Sequence, residues 1–163
     1  MGQSDGGNVG LLLARYHPEL VRRLVVSGAS IRGDHDGVEA YERSRQRSPE
    51  QLAANLPQWF HDDYVGVSPA GEQHWLTAVA KSEELWLTRV VLEQRELGAI
   101  QAPVLVMAGG HDIVPLEHTI EIFRGLRKGQ PCILPATGHG TELERPEDFN
   151  RMTRAFPEQT ATP

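Results

Sequence analysis

The chain has 163 residues, 39% hydrophobic and 23% charged, the balance of a soluble globular protein with room for a sizeable core. A net charge of -6, from 16 Lys and Arg against 22 Asp and Glu, argues against a nucleic-acid or anionic-membrane surface. The single cysteine, Cys132, excludes an internal disulfide and a multi-cysteine zinc site. No apolar run approaches the roughly 20 residues that a membrane span needs. No basic stretch precedes Leu11-Leu12-Leu13, and Gly6 stands where a myristoylation motif wants Ser or Thr, so a cytoplasmic location is expected.

Gly2-Gln3-Ser4-Asp5-Gly6 matches G-x-S-x-G, the pattern of a serine held on a sharp turn between a strand and a helix. Glycines on both sides are expected to relieve the crowding around such a strained residue. Asn8 to Tyr16 reads as the buried helix that follows, its N-terminal N–H groups aimed where negative charge would develop. Leu24-Val25-Val26 is continuous and apolar, as in a strand buried on both faces. Ser27 and Ser30 stand at the end of that strand but lack the flanking glycine pair.

From Gly37 to about Leu97 the pattern is helical, with no strand. Ser48-Pro49-Glu50-Gln51 predicts a capped helix start, and Ser68-Pro69 predicts a second. Trp75, Val79, Trp86 and Val90 recur at helical spacing. Pro103 to Ala108 then reads as a second strand, and Gly109-Gly110-His111-Asp112 as the turn after it. A helix is expected from Pro115 to Leu126 with Ile120, Phe123 and Leu126 on one face. Pro131 to Leu134 reads as a third strand, with Gly138-His139-Gly140 beyond it, then a helix from Pro146 to Phe156. Strands alternating with helices predict a parallel sheet of the α/β class.

In such a sheet, functional residues gather past the carboxyl ends of the strands. Ser4, Asp112 and His139 all fall on that edge. The chemistry of acyl transfer needs all three types. His139 would accept the Ser4 proton and return it to the leaving group, while Asp112 would hold the ring in the right tautomer. The backbone N–H of Asp5 would donate to the oxyanion.

On these residues the chain resembles the α/β-hydrolase family from the nucleophile elbow onward. The pieces that carry the resemblance are Gly-Gln-Ser-Asp-Gly-Gly, Val-Leu-Val-Met-Ala-Gly-Gly-His-Asp, and Gly-His-Gly followed by Glu-Arg-Pro-Glu-Asp-Phe-Asn. Their order, Ser then Asp then His, is the order that family uses. The elbow is similar to that of the branch that cleaves amino-acid esters, the biphenyl-hydrolase-like proteins. The resemblance implies a partial hydrolase fold: a three-stranded remnant of a parallel sheet, flanking helices and a helical lid insertion. It divides the chain into elbow, helix and strand over 1–33, lid over 34–98, acid and base loops over 99–157, and a frayed tail over 158–163. It implies a serine hydrolase for a small ester, amide or lactone, truncated at its N-terminus, with no metal and no cofactor. The alternative is a fragment or pseudoenzyme that is not competent without the missing N-terminal half. Partners would be a small-molecule substrate, with no nucleic acid and no membrane, and self-association is expected through the exposed edge of the Leu24-Val25-Val26 strand.

Several residues carry two readings. Asp5 either attracts a cationic substrate group or simply favours the helix N-terminus. Trp59 and Trp75 either line a substrate pocket or pack in a core. Asp34-His35-Asp36 and His61-Asp62-Asp63 have the composition of metal ligands, but adjacent residues rarely converge on one ion, so they read as solvated lid loops.

Overall fold

A computed structural model gives the structure, which describes residues 1–31, 47–87 and 92–159. The described residues divide into two compact units, one drawn from 1–35 and 90–163 and the other from 36–89. In the first unit the chain runs β1 (Gly2–Gln3), α1 (Asp5–Tyr16) and β2 (Leu24–Ser27). After the second unit it resumes with α5 (Gln94–Leu97), β3 (Val104–Gly109), α6 (Leu116–Gly125) and β4 (Gly129–Leu134). It closes with α7 (Thr141–Glu144) and α8 (Pro146–Gln159). The last helix therefore extends to Gln159, past the Phe156 at which the pattern placed its end.

Among the described residues the strands form one parallel sheet in the order β1-β2-β3-β4. Three of them are those legible in the sequence; the fourth, β1, is two residues long and pairs Gly2 with Val26 and Gln3 with Ser27. The edge expected to stand open at β2 is thus half covered, with Leu24 and Val25 lying beyond the reach of β1. Side chains alternate across the sheet as the strand period requires. Leu24, Val26, Val104 and Val106 join Leu11, Ala14, Leu97, Ile100 and Ile122 on one face. Val25, Leu105, Met107 and Leu134 meet Phe149 and Phe156 of α8 on the other. A helix layer on each face is why these strands read as unbroken apolar runs.

Helix α6 buries a wider face than the expected one: Leu126 lies in the core and Phe123 packs against it, as expected, while Ile120 is only partly buried. Ile122 is fully buried, together with His118 and Thr119, four and three residues before it. The polar members hid that stripe from a reading of apolar spacing. His118 earns its place by accepting the Ile31 N–H at Nε2, 3.0 Å away. Leu92, Leu97 and Ile100 pack in the core of the sheet unit.

The second unit contains α2 (Pro49–Ala53), α3 (Gln58–Val67) and α4 (Trp75–Leu87). Helix α2 has the expected capping box, with Ser48 Oγ accepting the Gln51 N–H and the Gln51 side chain accepting the Ser48 N–H. Ser68, in contrast, ends a helix: it is the C-cap of α3, and its N–H bonds the Tyr64 carbonyl. The next helix waits for a single turn of 3-10 helix at Glu72–His74. Leu52, Trp75 and Val79 form this unit's core. Trp86 and Val90, the other members of that periodic set, lie outside the described side chains.

Burial ranks these positions for stability. Ile122→Ala should cost about 2–5 kcal/mol in urea unfolding, the range for emptying a filled core site. Leu20→Ala, at a position 68% exposed, should fall within about 0.5 kcal/mol of the parent. Similar losses for both would contradict the packing described.

Candidate active site

Ser4 occupies the turn between β1 and α1 with φ 52° and ψ -122°. A non-glycine residue there costs of order 1–3 kcal/mol and persists only where its surroundings impose it. Two constraints do so. The Ser4 N–H donates to the Ser27 carbonyl at 2.7 Å, which continues the β1–β2 pairing past the strand end. Gly2 lets the chain fold back, because a Cβ on it would stand 2.1 Å from the Gly6 carbonyl oxygen. The crowding is one-sided. A Cβ on Gly6 would meet open space, whereas one on Gly7 would press on Ala29 and Val26 at 3.1 and 3.4 Å. Asp5 is the first residue of α1, so its carboxylate and N–H both stand at the positive end of that helix.

Asp112 and His139, carried past β3 and β4, meet directly. His139 Nδ1 donates to Asp112 Oδ1 at 2.7 Å, and the same oxygen accepts the Val114 N–H at 2.9 Å. The Asp112 side chain is only 1% exposed and that of His139 24%. A carboxylate that accepts from Nδ1–H fixes the tautomer, which leaves Nε2 unprotonated in the neutral ring. The Asp112 hydrogen bond, opposed by burial and helped by the charges of Asp112, Glu142 and Asp5, raises the His139 pKa above its ordinary value.

The loop that bears His139 is tied down from several sides. The Gln3 side chain donates to the His139 carbonyl at 3.2 Å, which joins the histidine loop to the residue beside Ser4. The buried hydroxyls of Ser27 and Thr141 share a hydrogen bond of 2.7 Å. His111 N–H reaches the Thr137 carbonyl, and Gly138 N–H reaches Glu144 Oε2. Gln3, read only as the variable position of the elbow motif, and Ser27, set aside for lacking flanking glycines, thus each tie down a loop of the site. The signal available in the sequence was their place at the ends of two adjacent strands.

The remaining candidates lie in the second unit. Trp59 is 51% exposed and stacks edge-on with Phe60, whereas Trp75 is 7% exposed and packs with Leu52 and Val79. Trp75 also borders a cleft of about 380 Å³ that includes Glu50, Gln58, His61 and Glu72. His61-Asp62-Asp63 lies on helix α3, not in a loop. Both His61 nitrogens face carboxylates, Nδ1 at 3.0 Å from Asp62 and Nε2 at 2.9 Å from Glu72, and these raise its pKa. Among the described residues no group of three or more His, Cys, Asp or Glu could hold a metal ion. Asp34-His35-Asp36 lies outside them. No helix among the described residues is long and apolar enough to cross a membrane.

A parallel sheet flanked by helices, with polar side chains gathered past its strand ends, defines a domain of the α/β class. The chain belongs to the alpha/beta hydrolase family, whose sequence model matches residues 1–152. Over 96% of its length it is 26% identical to the 2-hydroxymuconate semialdehyde hydrolase of Pseudomonas sp. strain CF600, of which it spans 60%. It is 23% identical to the serine hydrolase BPHL of Mus musculus, again over 96% of its length and 53% of that protein. It shares the fold of a thermophilic esterase from Thermogutta terrifontis, with a TM-score of 0.68 and 22% identity, covering 99% of this chain and 64% of that one. The chain therefore spans little more than half the length of the curated relatives it matches.

The raised His139 pKa has a stability signature. A folded-state value above the unfolded one contributes stability that is complete below the unfolded pKa and is lost as pH rises through the folded value. Asp112→Asn should lower the His139 pKa, read from its imidazole resonances. The stability gap between parent and variant should be widest in mild acid and narrow as pH rises through the parent's His139 pKa. A gap that widens with pH would contradict this assignment of the cause.

Proposed function

We propose that this is a serine hydrolase that cleaves a small ester, amide or lactone by acyl transfer. The observation that carries the reading is the Asp112–His139 hydrogen bond of 2.7 Å on the strand edge where Ser4 is held in its strained turn. His139 Nε2 takes the Ser4 hydroxyl proton as Ser4 Oγ bonds to the substrate carbonyl carbon. The tetrahedral oxyanion is met by the Asp5 N–H at the start of α1. Its collapse breaks the bond to the leaving group, which receives the proton from His139. Water then repeats the sequence and frees the acid. Asp112 keeps Nδ1 protonated and stabilises the imidazolium.

Support comes from the family match and from relatives named as hydrolases. A fluorophosphonate probe should label Ser4. Ser4→Ala should abolish labelling, and His139→Ala should slow it by at least about 100-fold, the lower end for loss of a positioned base. Labelling that survives Ser4→Ala removes this serine from the mechanism. A second reading, that the chain is not competent by itself, is favoured by its spanning only 53–60% of the first relatives. Ester turnover by the 163-residue chain would overturn that reading.

Asp5 adds a substrate preference. Its negative charge at the mouth of the site favours a substrate with a cationic group near the scissile carbonyl. Asp5→Asn should lower kcat/KM for an α-amino ester more than for its desamino analogue, by about 1.5–3 kcal/mol. Equal losses on both substrates would leave Asp5 only its effect on the helix terminus.

A further inference from the structure

Gly28 follows β2 directly, with φ at +60°, in the left-handed region. Its N–H donates to the Met107 carbonyl at 3.0 Å, so the turn is pinned to β3. A Cβ built on Gly28 would stand 2.7 Å from His139 Cε1, 2.9 Å from His139 Nδ1 and 3.3 Å from Asp112 Oδ2. All three atoms belong to the two side chains that form the hydrogen bond at the site. The ring cannot swing away at no cost, because Nδ1 is bonded to Asp112 and the His139 carbonyl to Gln3. The carboxylate has its own exposure to such a push. Asp112 Oδ2 is buried and has no hydrogen-bond partner among the described residues, so its orientation rests on what Oδ1 bonds.

We propose that Gly28 is a positioning residue for the His139–Asp112 pair. Its bare Cα is the surface against which the edge of the imidazole rests, and any side chain there separates Nδ1 from Oδ1. The role in turnover rests on His139 acting as the base, as proposed above; the contact itself does not.

The test compares Gly28→Ala with Gly71→Ala in the full chain. Gly71 also has a positive φ, +57°, but open space around its missing Cβ, so a side chain there meets the left-handed φ without the contact. With ¹⁵N-labelled histidine, Gly28→Ala should shift the His139 pKa down toward that of Asp112→Asn and remove the downfield Nδ1 proton. Gly71→Ala should leave both unchanged. In turnover, Gly28→Ala should lower kcat by about 100-fold, as misplacement of a catalytic group by an ångström does, with KM little altered. A folded Gly28→Ala protein with the parent's His139 titration overturns the proposal. If Gly28→Ala does not fold, the same substitution is made in a His139→Ala background. Recovery of folding there supports the contact, and continued failure, with Gly71→Ala folded, overturns it. A parent whose His139 titrates as described while Ser4 resists the fluorophosphonate would sink the acyl-transfer reading and leave the Gly28 contact standing.

Discussion

The site depends on the register in which β2 and β3 pair. Leu24 to Ser27 lie against Val104 to Met107, residue for residue, and Gly28 N–H carries the ladder one step further to Met107. Because the strands are parallel, their carboxyl ends finish side by side. Ser27 and Gly28 therefore come to rest beside the loop that delivers Asp112. A slip of β2 by one residue would turn Val26 and Val25 each to the opposite face and disturb both apolar layers, so burial fixes the register strongly. The precision of the polar groups is inherited from the packing of apolar ones.

From that base the polar contacts act as cross-ties between loops that would otherwise move independently. Ser4 is held to β2 through its N–H, Thr141 to β2 through Ser27, and His139 to β1 through Gln3. Two of these ties end on β2, whose four residues are all buried, and the third on the edge strand β1. Loops positioned by a rigid scaffold are where chemistry is commonly found, and here the scaffold reaches into them by specific bonds.

Much of this was open to reading in the residues, for physical reasons that differ from place to place. β2 and β3 are unbroken apolar segments because both faces are covered, and that leaves a clear mark. The Ser48 capping box is local, so four adjacent residues disclose it. β1 is two residues long and has no periodicity to detect. Ser68-Pro69 satisfies the same local rule as Ser48-Pro49 yet ends a helix, because tertiary packing decides which capable residues become caps. The stripe of α6 escaped because His118 and Thr119 are polar and buried. The contacts of Gln3 and Ser27 escaped for another reason: their partners lie 136 and 114 positions away, where no local pattern records them.

The sequential strand order has a consequence for how the molecule is made. Among the described strands, each one after β1 emerges from the ribosome with a neighbour already present, so the sheet can extend in one direction as synthesis proceeds. The elbow has no such partner to hand. At about 5–20 residues per second, the 136 positions between Gln3 and His139 take on the order of ten seconds to synthesise. During that time the strained serine turn lacks the bond that later ties it to the histidine loop. The bond between the serine turn and the histidine loop thus waits for nearly the whole of the sheet unit to be made, and α8, which covers one face of the sheet, is made later still.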